Sequence, residues 1–244
     1  MIRNYNNELI DTVDHKYAYD FDLDVMHPYF LRATQTFFKS GISLEMGSYK
    51  GNFTKLLRKN VDALECVEAS LDAVEHCNSD PELKGIKFYN DVFENLRLPH
   101  KYKNIIITHV LEHLDDRVAI MKKVRDEWLD DGGLFFIIVP NANAPSRQLA
   151  VRMGLLSHNA TITNAEAQHG HKITYSFDTL ERDAKLAGLK IIHKKGIFFK
   201  ALANFQWDKI LKTDIIDKSY LDACYELGEV YPDLCSSICL ICEK

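Results

Sequence analysis

The fold of this chain is decided by the stretch Leu44-Glu45-Met46-Gly47-Ser48-Tyr49-Lys50-Gly51, which joins an apolar run to a helical pattern. Residues 42–47 predict a short buried strand, and residues 52–59 carry their apolar side chains at helical spacing. The two glycines allow a sharp turn and a close approach of the backbone to a ligand. The helix that follows presents free N–H groups. The stretch therefore predicts a ligand-binding strand, loop and helix.

The acid inside this loop distinguishes it from a dinucleotide-binding loop. A dinucleotide fingerprint has the pattern G-x-G-x-x-G with its acid at the end of the second strand. Here the glycines are Gly47-x-x-x-Gly51, and Glu45 lies at the end of the first strand. A carboxylate beside the loop repels a pyrophosphate and attracts an ammonium or a sulfonium. We therefore favour a cationic cofactor over NAD.

Strand and helix patterns alternate on both sides of the loop. The other predicted strands are residues 63–69, 86–89, 104–110, 134–139, 190–199 and 237–243. The other predicted helices are residues 71–77, 117–129 and 177–187, and a turn is predicted at residues 130–133. This alternation is typical of an α/β, doubly wound parallel sheet, which binds ligands at the carboxyl ends of its strands.

The remaining length is concentrated in two insertions, residues 141–176 and 201–234, which follow predicted strand ends. We expect both to form helical caps over a ligand. No repeat, low-complexity run or Pro/Gly linker divides the 244 residues. The sequence thus predicts one domain, residues 1–244, with an N-terminal lid segment at residues 1–40.

Composition restricts the partners. The chain has 30 Lys+Arg and 35 Asp+Glu, a net charge of -5, so we expect no nucleic acid partner. Apolar stretches are too short for a bilayer and the N-terminus lacks a signal-peptide pattern, so we expect a cytoplasmic protein without a membrane partner. The six cysteines are predicted to be free thiols. Strand alternation puts Cys239 and Cys242 on opposite faces, which argues against a zinc site with Cys235.

Glu45-x-Gly47-x-x-x-Gly51 resembles the first motif of class I S-adenosylmethionine-dependent methyltransferases, although Tyr49 replaces a glycine that many members carry. The fourth strand runs into residues 108–114, Thr-His-Val-Leu-Glu-His-Leu, which is similar to the "LEHL" signature of the small-molecule branch. The resemblance covers residues 44–140 by motif and the rest by element order. It implies a mostly parallel, seven-stranded Rossmann-like methyltransferase fold, S-adenosylmethionine as cofactor and S-adenosylhomocysteine as product.

The resemblance also implies roles for acids at the next two strand ends. Glu68 stands where the family holds the ribose hydroxyls, and Asp91 stands where the family's acid lies beside the adenine amino group. The implied cofactor-binding residues are Glu45, Gly47, Ser48, Tyr49, Gly51, Glu68, Ala69, Asp91, Val92 and His109.

Methyl transfer to a hydroxyl or an ammonium needs a proton acceptor, for which histidine is the usual choice. The candidate catalytic residues are His109, His169 and His171. A hydrogen-bonded surface turn is the alternative for residues 168–176. His169 and His171, in the first cap insertion, could together chelate a metal ion. The sequence shows no carboxylate at ligand spacing from them, so we expect no metal site. For His113 we expect a role in closing its loop.

The candidate substrate-binding residues are Tyr17, Asn141, Asn143, Arg147, Tyr175 and Lys200. Tyr17 belongs to an aromatic segment that, in the family, often folds over the cofactor; packing outside the sheet is the alternative. Arg147 suits a substrate carboxylate or phosphate, or an acid of the protein surface.

We therefore expect a methyltransferase that acts on an oxygen or nitrogen of a sugar-like, natural-product-like or amino-acid-like small molecule, as a monomer or homodimer. The Asn/Asp-Pro-Pro-aromatic signature for nucleobase amino groups is missing after the fourth strand. Methylation of a peptide side chain and a non-catalytic cofactor-binding domain are the alternatives.

Overall fold

The computed structural model describes residues 3–11 and 15–244 and has a seven-stranded sheet as its central layer. The strands are β1 (Ile42–Met46), β2 (Ala63–Glu68), β3 (Lys87–Asn90), β4 (Tyr102–Thr108), β5 (Leu129–Pro140), β6 (Lys190–Phe199) and β7 (Cys235–Glu243). Their order in the sheet is β3-β2-β1-β4-β5-β7-β6. The pairs among β1 to β5 are parallel, and β7 runs antiparallel to both β5 and β6. The predicted mostly parallel, doubly wound α/β sheet is confirmed.

Helices cover both faces of this sheet. They are α1 (Tyr5–Glu8), α2 (His27–Thr34), α3 (Asn52–Leu57), α4 (Leu71–Ser79), α5 (Arg117–Lys123), α6 (Pro145–Arg152), α7 (Asn164–Gln168), α8 (Phe177–Leu186), α9 (Asn204–Ile210) and α10 (Lys218–Val230). A π-helical segment, Phe21–Met26, continues into α2. In the described residues, no helix combines the length and the apolar character needed to cross a membrane.

Two apolar cores lie on either side of the sheet. One is formed under α5 and α8, and the other under α2, α3 and α10. Strands β4 and β5 contribute to both, and Ile105, Ile106 and Ile107 are fully buried. This double burial explains why these strands have continuous apolar sequences instead of alternating ones.

Strand β7 confirms the prediction for its cysteines. Cys239 packs in the core under α2 and α10, whereas Cys242 packs in the core under α5 and α8. The two thiols therefore face opposite sides of the sheet, and all six cysteines of the chain are free.

Residues 130–133, which are predicted as a turn, lie within the bounds of β5 in the structure but have no paired residue in β4. Leu129 pairs with Tyr102, and the register then shifts before Asn104 pairs with Leu134. The intervening residues form an irregularity in the strand pair, and such unpaired residues are difficult to distinguish in sequence from a turn. A Cβ at Gly133 would lie 2.9 Å from the Tyr102 carbonyl oxygen, so the close approach of the two strands requires glycine there.

The second insertion also differs from its prediction. Residues 201–234 contain α9 and α10, and α10 packs on β6 and buries Tyr225 in the core. The Tyr225 ring stacks on that of Tyr29 of α2, with ring centroids 5.2 Å apart. The expectation of a cap is thus corrected for α10, which belongs to the helical layer on one face of the sheet.

Candidate functional site

The carboxyl ends of β1, β2 and β4 meet at one edge of the sheet, and the glycine loop follows β1 there. Gly47 and Gly51 have φ angles of 82° and 80°, in the left-handed region that favours glycine. A Cβ at Gly47 would overlap the Val110 side chain, and one at Gly51 would overlap Leu83. Tyr49 is also left-handed, with φ 48°. The two glycines therefore let the neighbouring loops pack directly against this turn.

Glu68 ends β2 beside the loop. Its two carboxylate oxygens accept hydrogen bonds from the backbone N–H groups of Tyr49 and Ser70, each at 2.8 Å. The side chain is buried, and this burial raises the pKa of its carboxyl group. The carboxylate is thus fixed at the edge of the sheet, and each oxygen keeps acceptor capacity for a further partner.

Glu45 lies below the loop, between β1 and α3. Its Oε2 accepts a hydrogen bond from the Thr54 hydroxyl at 2.6 Å and a weaker one from the Cys66 thiol. Burial raises the pKa of this carboxyl to about 7. The side chain joins the helix to the strand, and its predicted role toward a cofactor stays a prediction.

The end of β3 carries the predicted adenine acid. Asp91 is exposed and accepts a hydrogen bond from the Val92 N–H at 2.8 Å. The sequence did not single out Asn90, whose amide donates to the carbonyl oxygens of Glu68 and Ala69 at 2.9 and 3.2 Å. Asn90 therefore holds the turn after β2. Its position directly before the predicted acid was the feature of the sequence that could have identified it.

The N-terminal residues pack over this edge, although residues 1–2 and 12–14 of the predicted lid lie outside the described residues. The ring of Tyr17 lies 5.0 Å from that of Tyr49, between centroids. On its other side, Tyr17 contacts the rings of His169 and His113 at 5.5 and 6.4 Å. Tyr17 thus lies on the glycine loop and not on the outside of the sheet.

Helix α1 covers the neighbouring strand end. The Ser70 hydroxyl donates to the side-chain oxygen of Asn6 at 2.8 Å, and the Asn6 amide donates to Asp72 at 2.8 Å. Both contacts lie directly after β2. The N-terminal residues therefore cover the turn that directly follows Glu68.

His109 follows β4 and turns toward β7. Its φ is 51°, its N–H donates to the Ile138 carbonyl at 2.9 Å, and its Nε2 lies 2.9 Å from the Ser237 hydroxyl. Burial lowers the pKa of this imidazole to about 3. The ring is therefore neutral at physiological pH.

His169 and His171, the cap histidines, are held close to the loop that follows β4, residues 109–114 (the β4 loop), so the surface-turn alternative does not apply to them. His169 is buried and its Nδ1 lies 3.0 Å from the Glu8 carbonyl oxygen. His171 packs on His113 with ring centroids 4.4 Å apart, and burial lowers the pKa of His171 to about 4. The backbone N–H of Lys172 donates to the Glu112 carbonyl at 2.8 Å. The cap therefore brings the His171 imidazole close to Glu112 and His113.

Glu112 is the residue whose role the sequence missed. Its side chain is 1% exposed, and burial raises the pKa of its carboxyl to about 8. The sequence feature that could have identified it is a carboxyl group among mostly apolar residues after β4.

Two residues predicted to bind substrate, Asn141 and Tyr175, have structural roles instead. The Asn141 amide donates to the carbonyl oxygens of Asp233 and Cys235, at 2.8 and 2.9 Å, so it fastens β7. Tyr175 is fully buried, and its hydroxyl donates to Asp183 at 3.1 Å. These two predictions are wrong because internal partners already occupy the polar atoms.

Arg147 is likewise corrected. Its guanidinium donates to the carbonyl oxygens of Asn159 and Thr161 and to the carboxylate of Glu166, the last at 2.6 Å. The arginine therefore pairs with an acid of the protein, which was the second alternative for it, and it holds the first insertion together.

Lys200 and Asn143 are placed differently. Lys200 is buried over the Phe21 ring and donates to the Asn204 side chain, and burial lowers its pKa to about 8. Asn143 is half-buried at the start of the first insertion, where its N–H donates to the Asn141 side chain. Their roles toward a substrate stay predictions.

Comparison with known proteins identifies the family. A sequence-family profile described as a methyltransferase domain matches residues 17–194. No curated protein matches the chain. Solved structures of the same fold include an S-adenosylmethionine-dependent methyltransferase from Mesorhizobium loti, at 15% identity and TM-score 0.60, covering 91% of this chain and 100% of that one.

Two other solved structures extend this likeness. One is from Thermotoga maritima, described as a possible histamine N-methyltransferase, at 16% identity and TM-score 0.60, covering 92% of each chain. The other is DhpI in a complex with SAM and HEP, at 14% identity and TM-score 0.58, covering 91% of this chain and 87% of that one. These likenesses confirm the predicted fold. Because the matched residues, 17–194, make up well over half of the chain, the chain belongs to this family of methyltransferase domains.

Proposed function

We propose that this methyltransferase takes its methyl group from S-adenosylmethionine and transfers it to an oxygen or nitrogen atom of a small metabolite. The observation that carries the proposal is the Glu68 carboxylate, held by two backbone N–H groups at the edge of the sheet and covered by the N-terminal residues. When bound, S-adenosylmethionine supplies an electrophilic methyl group on its sulfonium.

The residues at this edge fit the cofactor. The spare lone pairs of the Glu68 oxygens suit the two adjacent hydroxyls of a ribose. The Thr108 hydroxyl at the end of β4 is buried and has no hydrogen-bond partner among the described residues, so it is available to a bound ligand. Buried polar groups without partners are uncommon in folded proteins and often mark ligand sites.

His169 is the proposed proton acceptor. Its Nδ1 is fixed by the Glu8 carbonyl, which can only accept, so the Nδ1 carries the proton of the neutral ring. This tautomer leaves Nε2 as an acceptor, and that atom is buried without a partner among the described residues. An oriented imidazole with a free acceptor nitrogen is suited to remove a proton from a hydroxyl or an ammonium.

A small acceptor is favoured because two segments close the site. Arg3 donates to the His113 carbonyl at 2.7 Å, and the Lys172 N–H donates to that of Glu112. The N-terminal residues and the first insertion are thus both tied to the β4 loop. A covered site of this kind suits a small molecule better than the surface of a folded protein.

Calorimetric titration of S-adenosylhomocysteine tests the cofactor site. We expect Glu68→Ala to weaken binding by at least about 100-fold, because two hydrogen bonds to a charged group are lost. Glu65→Gln is the matched control, since Glu65 is on the same strand and binds Tyr89 and Tyr102 instead. Equal affinity of Glu68→Ala and the unchanged protein would remove the ribose assignment. Tight binding of NADH, with no heat of binding from S-adenosylmethionine or S-adenosylhomocysteine, would overturn the assignment of the cofactor.

Transfer of a labelled methyl group tests the acceptor. We expect label in a pool of hydroxylated and amino-containing small metabolites and none in a peptide library. Label in peptides alone would contradict the small-molecule assignment, and no transfer to either pool, with the cofactor bound, would identify a non-catalytic domain.

A further inference from the structure

Glu112, His113 and His171 form a cluster that has no role in the proposed reaction. One ligand atom from each of the three side chains lies within 4.8 Å of the other two. The cluster is next to Tyr17, whose ring also contacts Tyr49 of the glycine loop. The three side chains are therefore one aromatic ring away from the proposed cofactor site.

The carboxylate of Glu112 has no partner that explains its burial. Among the residues that the structure describes, no other residue donates a hydrogen bond to either oxygen. The nearby guanidinium groups are already paired, Arg3 with Glu8 and Arg147 with Glu166, each at 2.6 Å. A buried carboxyl group is costly unless it is paired or binds a metal.

A residue outside the cluster holds one of the two imidazoles, that of His113. The backbone of His169 hydrogen-bonds the His113 ring. The backbone N–H of His171 donates to the Glu166 carbonyl at 2.9 Å, which fixes the backbone of that turn of the cap. Metal-binding histidines commonly have one ring nitrogen held by a carbonyl or carboxylate, while the other binds the ion.

We propose that Glu112, His113 and His171 bind one divalent transition-metal ion. Two imidazole nitrogens and one carboxylate oxygen suit Zn²⁺, Mn²⁺, Fe²⁺ or Co²⁺ better than Mg²⁺ or Ca²⁺, which prefer oxygen ligands. Three protein ligands leave open coordination positions.

The open coordination positions of the ion restrict which molecules can accept the methyl group. This step rests on the proposed function. An oxygen atom of the acceptor, either a hydroxyl or a carboxylate oxygen, would coordinate the ion and so be held beside the methyl donor. Coordination also lowers the pKa of a hydroxyl, which eases its deprotonation. The site thus favours acceptors with an oxygen donor over simple amines.

The test is a metal titration of the full chain after dialysis against a chelator. We expect one Co²⁺ per chain, seen as d–d absorption, and one Zn²⁺ per chain by calorimetry. Glu112→Gln and His171→Ala are each expected to raise the Kd for Zn²⁺ by at least about a hundredfold, because loss of a supporting residue alone costs about 10- to 100-fold. His158→Ala, an exposed histidine of the same insertion, is the matched control and should leave the Kd unchanged.

Two measurements on the same samples keep the outcomes distinct. Circular dichroism confirms that each variant is folded, and Glu112→Gln preserves the side-chain volume. If the protein binds S-adenosylhomocysteine but takes up no stoichiometric ion, or if the variants bind the ion as tightly as the unchanged protein, the metal site is overturned and the proposed function stands. Ion binding without S-adenosylhomocysteine binding would instead leave the metal site and overturn the proposed function.

Discussion

Glu45 is a carboxyl group buried between β1 and α3, and its pKa in the folded protein is raised by burial from 4.5 to about 7. Between these two values the folded chain binds more protons than the unfolded chain. The free energy of unfolding therefore falls as pH rises through this window, by about 3 kcal/mol for this group. Above pH 7 the contribution no longer changes.

Denaturant titrations from pH 4.5 to pH 7.5 without ligand check this expectation. Glu45→Gln removes the ionisable group and keeps an acceptor for the Thr54 hydroxyl, so its stability should lack this part of the pH dependence. Glu75→Gln, an exposed acid on α4, is the control. The same slope in Glu45→Gln and in the unchanged protein would show that folding does not raise the pKa of Glu45.

His169 is expected to affect turnover more than binding. Replacing it with alanine removes the proposed proton acceptor and should lower kcat by about 10²- to 10⁴-fold, while S-adenosylhomocysteine affinity changes little. Steady-state kinetics with an identified acceptor and calorimetry separate the two quantities. His158→Ala again serves as the control. An unchanged kcat for His169→Ala would show that His169 has only a structural role, through its contact with Glu8.

At the scale of elements, the first insertion depends on Arg147. Its guanidinium bridges two carbonyl groups and Glu166, and Glu166 also caps the N-terminus of α7. Arg147→Ala leaves these acceptors unpaired, so we expect amide hydrogen exchange in residues 157–168 to accelerate by about 10- to 100-fold. Arg147→Lys should restore little, because lysine lacks the planar fork.

Mass-spectrometric hydrogen exchange measures this effect peptide by peptide. Arg152→Ala, an exposed arginine at the end of α6, should exchange like the unchanged protein. Unaltered exchange in Arg147→Ala would mean that the backbone of the insertion is held by other contacts.

The elements differ in how far the sequence predicts them. Strands β4 and β5 were predictable because a strand buried on both faces has a continuous apolar sequence. The irregularity in β5 was not predictable, since Asp130 to Gly133 have the composition of a turn and pair with no residue of β4; only the pairs on either side of them place them within β5. The layer position of α10 was missed because its helical spacing does not say which surface its apolar side chains contact.

The candidate site shows the same limit. The glycine loop and Glu68 are local signals, since each follows a predicted strand within a few residues. Asn141 also follows a strand, but the antiparallel β7 approaches that end and its carbonyl groups occupy the amide. The contact between Glu112 and His171 joins distant parts of the chain, and the sequence alone does not bring them together.

At the scale of the whole molecule, both cores are shared by the two halves of the chain. The core under α2 and α10 joins Phe30 and Ile106 to Phe198 and Tyr225, and β5 pairs with β4 on one side and β7 on the other. Such sharing leaves no interface along which part of the sheet separates on its own. We therefore propose one domain, which unfolds in one cooperative transition.

The six cysteines make this cooperativity measurable, because all are buried, and they lie on β2, α4, α10 and β7. A thiol reacts only when it is exposed and ionised, so labelling of every cysteine should begin at the temperature where circular dichroism reports unfolding. S-adenosylhomocysteine at 100 times its Kd should stabilise the fold by about 2.7 kcal/mol and raise Tm by roughly 5–10 °C. Glu68→Ala at the same ligand concentration should lose most of that shift. If Cys77 is labelled at a temperature where Cys224 stays protected, the α4 region unfolds separately and the single-domain proposal fails.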